Sequence, residues 1–232
     1  INGSDVYLGG SFFQSGYRHL YLIKLSTSSD IPDVSFPYAN STVNTSIPDG
    51  NSGWYVGGSF TTIDGEQAFR LVHILSDNTI DPNFACDLNS TVHALYLDGS
   101  DLYVGGSFTT VNTISQNRAA RVDATTGVLD QTWTPSFNST VFEIYPEVDK
   151  VFVGGQFSNV NGNDLIRNLA VLDIVTGEAL QSPVTNSTIY DIETNGDNIL
   201  AAGAFSQSGY YQLYLASFPD GSTIPEFNSV YA

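Results

Sequence analysis

The stretches "VYLGGSF", "WYVGGSF", "LYVGGSF" and "VFVGGQF" end at Phe12, Phe60, Phe108 and Phe157, and a degenerate fifth copy, "ILAAGAF", ends at Phe205. Successive phenylalanines are therefore 48, 48, 49 and 48 residues apart. A fixed period of ~40–50 residues is the mark of propeller blades, units that cannot bury both faces alone and must stack. The rest of each unit keeps the same step. A polar loop follows the Gly-Gly strand, then a second apolar stretch ("LYLIKL", "RLVHIL", "RAARVD", "NLAVLD", "LYLASF"). A turn such as "ATTG" or "IVTG" leads to a short strand carrying Pro and an aromatic, as in "DQTWTPSF". The unit then restarts at "NSTV", which stands at Asn40–Val43, Asn89–Val92 and Asn138–Val141, with "NSTI" at Asn186–Ile189.

Four short strands per unit, joined by hairpin-type turns such as "DGSD", predict antiparallel sheets stacked about an axis. The expected fold is an all-β propeller of five four-stranded antiparallel blades. It is read as one domain over 1–232, with blade repeats beginning near 1, 42, 91, 140 and 188. The last residues, 228–232, are expected either to complete the first blade and close the ring or to continue into a longer array. Gly-Gly inside an apolar strand marks a place where a neighbour leaves no room for a Cβ, and the Phe two residues on reads as the filler between blades.

Composition narrows the function classes. With 41% apolar and only 13% charged residues, the chain of 232 residues is not disordered. Seven Lys plus Arg against 24 Asp plus Glu give a formal charge of −17, which repels nucleic-acid phosphate and anionic lipid. No apolar run approaches the ~18 residues of a membrane span. The start "INGSDVYLGG" and the absence of Met read as a processed or excised piece of a longer protein. Cys86 is the only cysteine, so no internal disulfide framework exists. It is read as a buried free thiol, with pairing to a segment outside this sequence as the alternative.

On the stretch from Leu102 to Val141, "LYVGGSFTTVN…NRAARVDATTGVLDQTWTPSFNSTV", the chain resembles kelch-like β-propellers. It is similar to the short bacterial delta-60 type of repeat and to the kelch-like ectodomains of fungal cortical polarity markers. The resemblance implies a surface-exposed recognition or scaffolding propeller without an assigned reaction. Units one and five depart from it: unit five has Ala202-Gly203 in place of the Gly pair, and both lack the Arg-x-x-Arg-Val-Asp style of strand.

The candidate glycosylation sites are Asn2, Asn40, Asn44, Asn89, Asn138 and Asn186, each two residues before a Ser or Thr. The same Asn and Thr suit an Asx-turn and a strand start, and the turn role is expected whether or not sugar is attached. Any glycans would crown one mouth of the ring. Asn44, His93, Phe142 and Tyr190, directly after the repeats, are candidates for a binding mouth or for channel lining, with Glu143 and Asp191 beside them. Glu143 and Asp191 occupy matching positions in neighbouring units, the minimum for a five-bladed glycosidase, but Thr45 and Ala94 supply no third partner.

His19, His73 and His93 fall at different repeat phases and predict no zinc site; His73 is expected on a strand surface. Arg70 and Arg118 are expected to make a structural ion pair or a hydrogen bond to a loop carbonyl rather than to bind an anion, and Asp64, Asn112 and Asn161 to form turns, with calcium as a minor alternative. No catalytic residue, metal ligand or cofactor is assigned. The reading is a non-catalytic extracellular or cell-surface scaffold or adhesion module, N-glycosylated, with other surface proteins or glycans as partners. A carbohydrate-binding propeller and a glycoside hydrolase are the alternatives.

Overall fold

The computed structural model describes residues 5–13, 20–26, 33–180, 185–194, 198–205 and 215–219. The chain is all-β there, in antiparallel sheets that succeed one another along the sequence. The first sheet pairs β1 (Asp5–Phe13) with β2 (Leu20–Ser26). In the second, β3 (Val43–Pro48), β4 (Trp54–Gly58) and β7 (Leu71–Ile74) lie in that order, with a small hairpin of β5 (Thr62–Ile63) and β6 (Glu66–Gln67) inserted. The third repeats this plan with β8 (Val92–Asp98), β9 (Asp101–Gly106), the hairpin β10 (Thr110–Val111) and β11 (Ile114–Ser115), and β12 (Ala119–Asp123). The fourth holds β13 (Val141–Glu147), β14 (Lys150–Gly155) and β15 (Leu169–Asp173). The fifth holds β16 (Ile189–Thr194), β17 (Asn198–Gly203) and β18 (Leu215–Pro219).

The expected fourth strand is reduced to a single bridge in the three middle units, Ile74 to Ile80, Val122 to Leu129 and Leu172 to Ala179. In the second and third units the reason is local: the Asx-turn residues Asp81, before Pro82, and Asp130 follow at once, and neither turn continues a ladder of backbone donors. The terminal segment 228–232 and Asn2 lie outside the described residues. No helix among the described residues is long and apolar enough to cross a membrane.

Apolar residues fall into four clusters, each between consecutive sheets. Val56 packs toward the first sheet and Tyr55 toward the third; Val104 and Tyr103 divide in the same way one repeat later. Because side chains alternate along a strand and both sheet faces are covered, β4 is apolar throughout rather than alternating. Phe60, Phe108 and Phe157, each 0% exposed, plug these interfaces. Cys86 lies in the cluster between the second and third sheets, and burial pushes its thiol up to about 12.

The Gly-Gly pair explains how one sheet meets the next. A Cβ on the first glycine would stand 2.6 Å from Val92 Cγ1 at Gly57, 2.7 Å from Val141 Cγ1 at Gly105 and 2.6 Å from Ile189 Cγ2 at Gly154. The apolar residue closing each "NSTV" thus fills the space left by the preceding unit. The second glycine faces inward: a Cβ on Gly58, Gly106, Gly155 or Gly203 would meet the carbonyl oxygen of Thr42, Thr91, Thr140 or Thr188 within 2.3 Å. Gly-Gly and "NSTV" are two halves of one fitting.

One polar strut was misplaced by the sequence reading. His73, expected on a strand surface, is buried; its ring stacks on Tyr55 at 4.4 Å. Its Nδ1 lies 2.9 Å from Asp81 Oδ2 and its Nε2 3.1 Å from Asp49 Oδ2. A repeat later the place is taken by Arg121, which donates to Asp130 and to the Ile174 carbonyl. The site is polar because two carboxylates converge on it, and it is buried because the flanking strand is apolar.

Candidate functional site

The first strands of the second to fifth sheets, β3, β8, β13 and β16, lie side by side, each against the next. Each carries a bulge at the same place. Val43 pairs with Gly58 and Thr45 with Gly57, leaving Asn44 as the extra residue. The same slip isolates His93 between Val92 and Ala94, Phe142 between Val141 and Glu143, and Tyr190 between Ile189 and Asp191. A bulge releases one residue from the ladder and re-aims its side chain. The four residues singled out in the sequence are therefore the four bulged ones.

The structure brings them together as an arc. Asn44 Nδ2 donates to the Val92 carbonyl at 2.8 Å, joining the second sheet to the third. His93 meets Phe142 edge-on, with ring centroids 5.2 Å apart, and Phe142 meets Tyr190 at 5.5 Å. Tyr190 ends this array with 54% of its surface exposed. His93 Nε2 lies 3.2 Å from Ser107 Oγ, which in turn lies 3.1 Å from Thr140 Oγ1. Burial lowers the His93 pKa and favours the neutral ring.

Beside the arc sits a carboxylate group. Burial raises Glu143 to about 7, and the charges of Asp191 and Glu193 add to the rise, while a hydrogen bond from the Ile144 N–H opposes it. Asp191 and Glu193 are themselves exposed. A half-buried acid held near neutrality can carry or release a proton there. Among the described residues no group of three or more His, Cys, Asp or Glu side chains is placed to hold a metal ion.

The sequence reading missed Ser107, Thr140 and Glu193, along with the Tyr96–Tyr145 pair, whose rings stand edge to face at 5.0 Å. Tyr96 and Tyr145 share one repeat phase and Glu193 follows Asp191 at the strand period of two, so this signal was available.

The sequon asparagines do structural work over a distance. Asn89 Oδ1 accepts from the N–H groups of Thr109 and Thr110 at 2.8 and 3.1 Å, and its Nδ2 donates to Thr109 Oγ1. Asn40 and Asn138 make the same three bonds, to Thr61 and Thr62 and to Ser158 and Asn159. The expected local Asx-turn is thus replaced by a clamp onto the loop that follows the Gly-Gly strand. All three remain exposed, as do Asn44 and Asn186.

Arg70 and Arg118 donate to the Ser59 and Ser107 carbonyls, as expected of loop struts. Asp64, Asn112 and Asn161 adopt positive φ of 50, 47 and 52° at hairpin tips. Asn112 also donates to the Ala85 and Gly127 carbonyls.

Two stretches, residues 48–84 and 101–132, match the family described as "Domain of unknown function (DUF5122) beta-propeller". No curated protein sequence matches the chain. Among solved structures, the computationally designed Ika4 protein is similar at TM-score 0.51 and 13% identity, over 78% of this chain and 92% of that one. The WD40 propeller domain of Doa1 is similar at TM-score 0.50 and 14% identity, over 70% of this chain and 48% of that one. The Neurospora crassa Pan2 WD40 domain is similar at TM-score 0.50 and 13% identity, over 93% of this chain and 57% of that one. At such identities the likeness speaks for the fold alone. Repeat period, successive antiparallel sheets and these likenesses define a β-propeller repeat protein.

Proposed function

We propose that this chain is a non-catalytic interaction scaffold, an extracellular or cell-surface propeller whose mouth presents the bulged residues to other surface proteins. The observation that carries this reading is the contrast within one strand. Val43, Val92, Val141 and Ile189 are locked against glycines, while the next residue, released by the bulge, is Asn, His, Phe or Tyr. A constant frame with a changing bulged residue, exposed at Asn44 and Tyr190 and half-buried at His93 and Phe142, is the form of a recognition surface. In this proposal the five repeat units are four-stranded blades of one propeller, and glycans on the exposed sequon asparagines ring the same mouth. The kelch-like character seen in the sequence belongs to the same proposal, as does the absence of a required cofactor.

The glycosidase alternative requires an acid and a second carboxylate across a bound sugar. Glu143 has the raised pKa for the first role, yet it is held by its neighbouring backbone N–H. Affinity capture from the native cell surface, with the chain as bait, tests the scaffold reading. Specific partners that are lost on Tyr190→Ala support it. Hydrolysis of a polysaccharide panel, abolished by Glu143→Gln, overturns it. Intact mass of the natively produced chain tests the glycans, and a mass equal to that of the sequence removes them from the proposal.

A further inference from the structure

We propose that the Phe142–Tyr190 end of the mouth is a docking site for a basic segment of a partner protein, a Lys or Arg side chain lying over Tyr190 and reaching the Glu143–Asp191 carboxylates. This rests on the scaffold reading and specifies its partner by charge. The aromatic array has one half-buried end, His93, and one open end, and the open ring, Tyr190, adjoins Asp191 in the chain. An exposed aromatic face attracts a cation through its quadrupole. Asp191, the next residue and also exposed, adds charge complementarity.

Among the described residues, no cationic side chain forms an ion pair with Glu143, Asp191 or Glu193. The ion pairs made by Lys24, Arg121 and Lys150 go to Asp33, to Asp101 and Asp130, and to Asp149. Arg70, Arg118 and Arg167 donate to loop carbonyls elsewhere. His93, the basic member of the arc, is disposed by burial to be neutral. Among the described residues this end therefore pairs aromatic rings with the exposed carboxylates of Asp191 and Glu193, in a chain whose net charge is already −17. A neutral sugar would gain the stacking but leave the carboxylates uncompensated. A basic side chain satisfies both.

The test uses the isotopically labelled chain in an NMR titration at low salt with three capped hexapeptides: alternating Lys and Gly, the same with norleucine for Lys, and the same with Glu for Lys. A neutral β-linked glucose oligosaccharide is the fourth ligand. The expected result is saturable shifts at Phe142, Glu143, Tyr190 and Asp191 with the Lys peptide alone. Tyr190→Ala is expected to weaken binding about threefold to tenfold, the size of one cation–π contact, while Tyr190→Phe retains it. Asp191→Asn weakens it further, and raised salt weakens it progressively. Equal response to the norleucine peptide, shifts away from the mouth, no saturable shift, or preference for the oligosaccharide each overturn the proposal. Preference for the oligosaccharide would also favour the carbohydrate-binding alternative; the other outcomes leave the scaffold reading standing, and that reading fails on polysaccharide hydrolysis.

Discussion

Adding one methyl group at Gly105 tests how consecutive sheets are joined. Gly105 has no left-handed φ, so alanine is not excluded by its backbone. Its Cβ would stand 2.7 Å from Val141 Cγ1, where ordinary carbon contacts are about 3.5–4.0 Å. Val141 is 0% exposed and β-branched, so it cannot rotate away freely. Overpacking of this kind costs about 1–3 kcal/mol. With a urea m-value of about 1–3 kcal/mol/M, the Gly105→Ala midpoint should fall by about 1 M.

Val141→Ala alone leaves a void and should cost about 1.5–3 kcal/mol. Combined, the two changes should relieve each other, because the new methyl enters the space that the valine leaves. The double variant is expected near Val141→Ala alone, a coupling of about 1–3 kcal/mol. Additivity within ~0.5 kcal/mol would show that the two residues do not share the space, and the account of the Gly-Gly pair would be wrong. Gly106→Ala should have no such rescue, since its Cβ would meet the Thr91 carbonyl oxygen at 2.3 Å.

The remaining predictions concern polar groups and one turn. Asn89→Ala should lose about 1–2 kcal/mol in urea melts by orphaning two N–H groups, whereas Thr91→Ala, which also destroys the sequon, keeps the clamp and should cost less. His73→Leu leaves the Oδ2 atoms of Asp49 and Asp81 without their shared donor and should destabilise by about 3 kcal/mol; an unchanged thermal midpoint would refute the strut. Glu143 has a raised folded pKa, so the folded chain holds its proton longer than the unfolded one. Stability should therefore fall as pH rises from about 4.5 to about 7, and Glu143→Gln should flatten that slope in urea melts across the window. Val148 holds a φ of 50° at 84% exposure, in the hairpin position that Gly99 fills one repeat earlier, so Val148→Gly should raise the thermal midpoint through about 0.5–1 kcal/mol.

Much of the fold was legible because a repeat shows the same solution several times. The recurrence of Gly-Gly, of the Phe two residues later and of "NSTV" carries the sheet succession and the interface plugs. The positions of Asn44, His93, Phe142 and Tyr190 could be named from phase alone. Their release from the ladder could not, because a bulge depends on how two strands slip against each other. The fourth strand was over-read, since a Pro-containing stretch looks extended in sequence whether or not it finds a ladder partner. His73 was mistaken for a surface group because neither Asp49 nor Asp81 is near enough in the chain to announce the pairing.

Sequence by itself determined the unit: its period, its antiparallel strands and the small residues that each interface demands. These are local or periodic properties, and repetition amplifies them. Tertiary structure alone decided that the sequon asparagine bonds a loop some twenty residues away and that its valine seats on the glycine of the preceding unit. It also decided that Glu143 shares its charge environment with Asp191 and Glu193. Each of these depends on which strands become neighbours. Spacing along the chain constrains that choice, but only the closing of backbone hydrogen bonds and the packing of side chains between sheets can make it.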